Sequence, residues 1–384
     1  MHAMPAKFAE QVTKIHGGRA LCREGNCTIQ FLCSLHHRIR YVYMQMLNTQ
    51  CNTMLTNYLR RSSAQRYVKG VSTKPLYNLG KMRSVEFNGI WSPLYEEHDL
   101  KRMVHAPFRE EADAFCQKNP TDLNRVKPIQ ASLKAANINS EDIHHILEIG
   151  AGHGNSIASL RTVFPKAHII ATDFSPEMLR LLSKAWARDP RVYAVQADGE
   201  ELAFKNGSMD FIWGWGVLHH LFKPDAALRR CKEILRPGGI AFFEEPIREG
   251  HEAHGQLYKK ILGDSRSSHL TPKLQRHFQG YILQLRYWRL KEKVLPIFSC
   301  MDDKWIFDPE YFVTTCKALC FQTCEILSMY GLGFAQKIEM DLHALDLSRD
   351  VMPTWAWDIV KTADSDTKPK PPVSASFLLK NTSR

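Results

Sequence analysis

Between Ile143 and Glu245 the chain alternates short apolar runs with amphipathic helical stretches, and that alternation leaves few folds open. The runs are His145-Ile-Leu-Glu-Ile149, His168-Ile-Ile-Ala-Thr172, Val192-Tyr-Ala-Val-Gln196, Met209-Asp-Phe-Ile-Trp213 and Ile240-Ala-Phe-Phe-Glu244. Strands buried on both faces read as near-continuous apolar runs, and parallel neighbours need a helical crossover between them. Helices are expected over 155–164, from Pro176 to about Arg188 with Ser175 as cap, and over 225–235, where Pro237-Gly238-Gly239 ends the last. The fold class is α/β, with the main body at 143–384.

Around that body the pattern loosens. Segments 95–103, 107–116 and 125–136 carry helical apolar spacing, so 86–142 is expected to form a helical cap. Downstream, Phe278, Tyr281, Ile282 and Leu285 mark one helical face within an insertion at 250–305. A helix over 309–318 and strands over 323–328 and 374–380 follow. A second insertion at 334–362 holds Trp355 and Trp357. No apolar run approaches the ~18–20 residues that cross a bilayer, so no transmembrane segment is expected.

Charge divides the chain at about residue 85. Of 51 Lys and Arg against 40 Asp and Glu, residues 1–85 hold 13 basic side chains and only Glu10 and Glu24 as acids. The remainder is balanced, so the basic surplus belongs to an N-terminal extension rather than to a nucleic-acid-binding body. The stretch Tyr58-Leu-Arg-Arg-Ser-Ser-Ala-Gln-Arg-Tyr67 is Arg-rich, Ser-containing and acid-free, the composition of an organellar transit peptide. A disordered tail, or a true start at Met82, fits residues 1–81 as well. The location expected is intracellular, cytoplasmic or organellar. Ten cysteines are spread thinly, and reduced thiols are expected. Cys22, Cys27, Cys33 and His36 lack the tight CxxC knuckles of a zinc site, and no Asp/Asn cluster marks magnesium, so no metal is expected. Cys316 and Cys320, four apart on the 309–318 helix and its end, read as buried or half-buried thiols.

The chemistry begins where the first run ends, in Glu148-Ile-Gly150-Ala-Gly152-His-Gly154. Glycines let the backbone turn sharply and approach a ligand closely, and the following helix aims its N-terminus at it. A dinucleotide fingerprint would need glycine at 155, where Asn155 stands. The acid at the strand end suits a ligand bearing a cationic amino-acid group. Asp173 ends the second run, where a carboxylate can accept both ribose hydroxyls, and Asp198 follows the third. Glu200 and Glu201 read as surface residues.

Five pieces then stand in order: Leu147-Glu-Ile-Gly-Ala-Gly-His-Gly154, Ala171-Thr-Asp-Phe-Ser-Pro-Glu-Met178, Gln196-Ala-Asp-Gly-Glu200, Val217-Leu-His-His220 and Leu235-Arg-Pro-Gly-Gly239. On them, residues 143–245 resemble the Rossmann-like, class I S-adenosylmethionine-dependent methyltransferases, in particular the ubiquinone/menaquinone-methyltransferase-like branch (methyltransferase type 11). The resemblance implies a seven-stranded sheet whose sixth and seventh strands form an antiparallel hairpin. It implies S-adenosyl-L-methionine as cofactor, held by Glu148, Gly150, Gly152, Gly154, Asp173, Phe174, Met178, Asp198, Gly199, Trp213 and Gly216. The segments before the first strand and after the fifth, where such enzymes build substrate pockets, match no family pattern.

The Asn/Asp-Pro-Pro-Tyr element of amino-group methyltransferases is replaced here by Gly214-Trp-Gly-Val-Leu-His-His220. An oxygen or carbon nucleophile must lose a proton, and His219 and His220 titrate near neutrality, which makes them the candidate general base. The alternative is that one histidine holds the helix start and the other is packed. Glu244 and Glu245 are weaker candidates. The expected activity is methyl transfer to an oxygen or carbon of a small, aromatic or lipid-like acceptor. Its rivals are RNA methylation and a non-catalytic cofactor-binding module; nucleic acid is not the expected partner. The acceptor is expected in an apolar pocket between the helix at 276–293 and the loop at 213–220.

Overall fold

The computed structural model describes residues 84–87, 90–93, 111–121, 123–289, 303–366 and 369–382. The strands in chain order are β1 (Ser84–Phe87), β2 (Ile90–Pro93), β3 (His145–Ile149), β4 (His168–Asp173), β5 (Val192–Gln196), β6 (Met209–Trp215), β7 (Leu235–Pro246), β8 (Thr323–Gly331) and β9 (Pro372–Lys380). The helices are α1 (Ala112–Lys118), α2 (Val126–Ala136), α3 (Ile157–Val163), α4 (Pro176–Ala185), α5 (Pro224–Ile234), α6 (Arg248–Gly263), α7 (Pro272–Trp288), α8 (Pro309–Ala318), α9 (Phe334–Ala344) and α10 (Thr354–Asp366).

The strands make one sheet in the order β1-β2-β5-β4-β3-β6-β7-β9-β8. From β5 to β7 every pairing is parallel, and β9 runs antiparallel between β7 and β8. This is the Rossmann-like sheet with its antiparallel hairpin. Two strands were not expected. β1 and β2 pair antiparallel, and β2 extends the sheet by pairing parallel to β5 through Ile90↔Ala194 and Trp91↔Val195. The helical cap at 86–142 therefore opens with strands. The physical signal is Val85, Phe87, Ile90 and Trp91, β-branched or aromatic residues flanking Asn88-Gly89, a hairpin dipeptide. The helix expected over 95–103 lies outside the described residues. Insertion 250–305 holds two helices, α6 and α7, and α7 carries the face marked by Phe278, Tyr281, Ile282 and Leu285.

Period-two alternation sorts the sheet's side chains. Ile146, Ile169, Phe211 and Phe242 face α2, α3 and α4, where Ile129, Leu160 and Leu182 meet them. Leu147, Ile170, Ile212 and Phe243 face the opposite way, onto Leu228, Cys231 and Phe312 of α5 and α8. A third cluster joins α6, α7, α9 and α10 through Tyr258, Phe278, Ile338 and Trp357. Since α6 follows directly from β7, this helical layer starts at the C-terminal edge of the sheet.

Two sequence expectations change here. Glu200 is buried, and its Oε1 accepts from the N–H groups of Phe222 (2.6 Å) and Lys223 (3.2 Å), satisfying donors at the start of α5. Cys316 is buried, but Cys320 lies past the end of α8, exposed, with a φ of 59°.

Gly214 lies in β6 where a Cβ would stand 2.5 Å from two Phe243 ring carbons. Both lie in strands that cannot separate without losing the parallel pairing. Gly214→Ala should cost about 1–3 kcal/mol of stability. Urea unfolding followed by circular dichroism checks this, and an unchanged midpoint would show that the Phe243 ring can give way.

Candidate functional site

The turn after β3 is built on backbone that few side chains permit. Gly150 and Gly152 have φ of 70° and 55°. At Gly150 there is a second requirement: a Cβ would lie 2.6 Å from Cγ2 of Val217. The turn thus rests directly on the loop that leaves β6. Ala151 N–H donates to Thr172 O of β4 at 2.8 Å, and Gly154 N–H to Ala151 O at 2.9 Å. Asp173 completes the latch. Its Oδ2 accepts from Gly152 N–H and its Oδ1 from Ser175 N–H, both at 2.8 Å. Burial nonetheless raises its pKa above the usual carboxylate range, against the three main-chain donors around it.

Glu148, at the inner end of β3, is buried, and its Oε2 has no hydrogen-bond partner among the described residues. Burial pushes its carboxyl up to about 8, against a hydrogen bond to Ser156 and the positive charge of Arg125. Ser156 links it to Trp213, whose indole N–H donates to Ser156 Oγ at 3.1 Å. That bond and a ring stacking on Phe242 at 4.3 Å put the Trp213 side chain wholly inside the core. Any contact of Trp213 with cofactor therefore falls to its main chain. In β6, Phe211 and Trp213 share the face turned to α3.

The cap reaches the turn from outside. His153 hydrogen-bonds Asn119 O at 2.9 Å, at the end of α1, and Phe115 meets its ring edge-on. Arg125, just before α2, lies 4.9 Å over the Trp215 ring. Arg125 carried no signal in the sequence, because only the fold brings it to Glu148.

The remaining cofactor candidates line the same edge of the sheet. Phe174 is half-buried and its carbonyl accepts from Gln196 at 3.0 Å. Met178 is buried in the first turn of α4. Asp198 is buried, with Oδ1 accepting from Glu200 N–H at 2.9 Å. Gly199 lies against Leu221 and Ile149, and Gly216, with φ of 64°, donates to Glu244 O at 2.8 Å.

Across the edge lie His219 and His220, in a single 3-10 turn, Leu218–His220. Glu245 holds that turn. Its Oε1 accepts from the N–H groups of Val217 (3.1 Å) and Leu218 (2.8 Å). Its Oε2 accepts from His219 N–H (3.2 Å) and lies 2.8 Å from His219 Nδ1. Glu245 is thus fully engaged in positioning, and the weaker reading of it as a base is withdrawn. Glu244 is tied to Ser376 of β9. Asp303, which the sequence reading missed, stands with Oδ1 3.6 Å from His219 Nε2 and 3.9 Å from His220 Nδ1.

An apolar acceptor pocket was expected between the helix at 276–293 and the loop after β6, and residues 290–293 of that helix lie outside the described residues. The 303–305 segment lies between Trp288 and the His219 turn: Trp288 N–H donates to Asp303 O at 2.9 Å, and Lys304 and Trp305 N–H donate to His219 O at 2.8 and 3.1 Å. Tyr281 instead turns to His251, with its hydroxyl 2.8 Å from Nδ1. A cavity of about 590 Å³ lies beside α5, lined by Phe222, Arg229, Arg248, Trp288, Trp305 and Tyr311 among others.

Residues 146–239 match a family model described as a methyltransferase domain. A malonyl-[acyl-carrier protein] O-methyltransferase of Laribacter hongkongensis is 29% identical over 145 residues, 35% of this chain and 47% of the relative. A demethylmenaquinone methyltransferase of Clavibacter sepedonicus is 34% identical over 127 residues, 31% of this chain and 49% of the relative. The chain spans about half the length of the curated relatives it matches. Among solved structures, a phosphoethanolamine N-methyltransferase 2 of Haemonchus contortus is 15% identical with a TM-score of 0.45, covering 77% of this chain and 62% of that one. The methyltransferase-domain match thus falls on the parallel strands β3 to β6 and the start of β7.

The raised pKa of Glu148 has a sign that can be checked. The unfolded carboxyl titrates near 4.5 and the folded one near 8, so the folded state holds a proton that the unfolded state has lost. Folding stability is therefore reduced progressively as pH rises from about 4.5 to about 8. Glu148→Gln removes that loss. In cofactor-free protein the variant should gain on the wild type across this window, by on the order of a few kcal/mol at pH 8. Urea unfolding at several pH values measures it, and a pH-independent difference would contradict the buried, protonated carboxyl.

Proposed function

We propose that the chain transfers the methyl group of S-adenosyl-L-methionine to an oxygen or carbon of a small, aromatic or lipid-like molecule. The observation that carries the reading is the buried Glu148 carboxyl, whose Oε2 has no described partner, beside a glycine turn latched to Asp173. A cationic amino-acid group is what would satisfy Glu148, and at Gly152, where nothing lies within 4 Å of a would-be Cβ, the turn's main chain is open to close approach. The residues present thus fit this cofactor. The Asp173 oxygens each retain lone-pair capacity beyond the main-chain donors, suited to the ribose hydroxyls. Phe174 and Met178 would flank the adenosine, Asp198 and Gly199 the adenine, and the main chain from Trp213 to Gly216 the methyl-bearing end.

Bound there, the cofactor supplies an electrophilic sulfonium methyl. This chain's residues supply orientation, exclusion of water and control of the acceptor's proton. Proximity contributes much of the rate in such an in-line displacement. His219 and His220 stand on the acceptor side of the strand ends, and Glu245 fixes the His219 ring so that Nε2 faces away from the core. One relative is by name an O-methyltransferase and another acts on demethylmenaquinone, which supports a small or carrier-borne acceptor. Among the described residues no helix is long and apolar enough to cross a membrane. Residues 1–81 are proposed as a basic extension, either a targeting segment or a tail; fusing them to a reporter and locating it in cells separates the two.

Two calorimetric experiments with S-adenosylhomocysteine test the cofactor assignment. Asp173→Ala should cost on the order of 2–3 kcal/mol of binding, because the ribose hydroxyls lose their acceptor. Wild-type affinity in a folded variant would sink the assignment. At pH 7, ligand binding should also release a proton from Glu148, so the measured heat should differ between phosphate and Tris buffers, and the difference should vanish in Glu148→Gln. With an acceptor in hand, His219→Ala should lower kcat by about 10²–10⁴-fold and leave cofactor affinity unchanged.

A further inference from the structure

We infer that His219, His220 and Asp303 form a binding site for a divalent first-row cation of the zinc type, on the acceptor side of the crevice. One ligand atom from each of the three side chains lies within 4.8 Å of the others. Asp303 Oδ1 is 3.6 Å from His219 Nε2 and 3.9 Å from His220 Nδ1, and the two imidazole centroids are 4.0 Å apart. A tetrahedral ion with bonds of about 2.0–2.1 Å places its ligand atoms about 3.3 Å apart. Small side-chain rotations would close the difference, and His220 and Asp303 are partly exposed and able to make them.

The surroundings of these residues are those a metal ligand needs. A metal-bound imidazole has its far nitrogen held by a carboxylate or carbonyl, which fixes the tautomer and raises its basicity. Glu245, with a side chain that is 0% exposed, does this to His219 Nδ1 at 2.8 Å, leaving Nε2 to face Asp303. Asp303 is oriented in turn by Gln284, whose amide donates to Oδ2 at 3.3 Å. The 303–305 strap is tied to the His219 carbonyl by two main-chain bonds. Two imidazoles and one carboxylate leave at least one coordination position open, the arrangement of a catalytic rather than a structural cation. The chemistry that position suits is an acceptor hydroxyl, enol or carboxylate oxygen, whose proton a coordinated cation makes easier to lose to solvent.

The inference deepens the methyl-transfer reading, since it states how the two histidines would control the acceptor's proton. Cation binding itself does not depend on that reading and is measured without cofactor. The sequence carried no metal signal because Asp303 follows His220 by 83 residues, with no spacing motif to join them.

The test is a cobalt(II) titration of the chelator-treated full chain, followed by visible and near-ultraviolet absorption. The expected result is one equivalent bound, with a d–d band and no sulfur-to-cobalt charge transfer, displaced by zinc(II). Asp303→Asn and His220→Ala should each abolish that band while keeping S-adenosylhomocysteine affinity, which shows that they fold. Glu245→Gln keeps the three ligands and should weaken cobalt binding by about 10–100-fold. Equal binding by wild type and both ligand variants, or a charge-transfer band alone, would place the metal on thiols and overturn the site. Loss of S-adenosylhomocysteine binding in the wild type would instead count against the methyl-transfer reading and leave the cobalt result standing.

Discussion

Gly150 and Val217 occupy space that a single Cβ would contest, since an added one would sit 2.6 Å from Val217 Cγ2. Because the contact is backbone on side chain, the turn after β3 and the loop after β6 cannot shift independently. Asp173 ties the same turn to β4 from one side, and Glu245 ties the same loop to β7 from the other. Four strand ends are thereby fixed relative to one another. The proposed donor and acceptor sites are halves of one rigid edge, and an in-line transfer between them needs that rigidity.

Carboxylates divide this edge into tasks according to how far each is satisfied. Glu245 has both oxygens engaged by main-chain donors and an imidazole, so it holds structure. Asp173 accepts from main-chain N–H groups alone, which leaves it oriented but still able to accept. Glu148 keeps Oε2 without a described partner, and its pKa of about 8 is the physical mark of that want. The gradient runs from the acceptor side to the donor side, and it is the least satisfied group that points to a charged ligand.

Much of this was legible in the sequence. The alternation of apolar runs and helices specifies the parallel sheet, and the glycines with Asp173 mark the strand ends where ligands bind in such sheets. What escaped has physical reasons. The β1–β2 hairpin escaped because two strands of four residues are shorter than the helical windows around them. That the Trp213 side chain lies in the core was not read from the sequence, although strand parity with Phe211 turns it there. Glu200 looked like a surface acid because its donors, at 222 and 223, are supplied by a distant helix start. Arg125 and Asp303 come from segments that match no motif, and only the closed fold brings them to the edge. Nothing in the sequence said that the 303–305 strap would lie between Trp288 and the His219 turn.

The account stands on transfer of a methyl group, and that can be observed without knowing the acceptor in advance. The full chain would be incubated with S-adenosylmethionine tritiated in the methyl group and with quinone, phenolic, fatty-acid and RNA pools in separate reactions. The account predicts that label moves into an organic-extractable product of one of the first three pools, and that Asp173→Ala abolishes it. Label in the RNA pool alone would contradict the acceptor class. No transfer to any pool by protein that binds S-adenosylhomocysteine would favour the non-catalytic binding module instead.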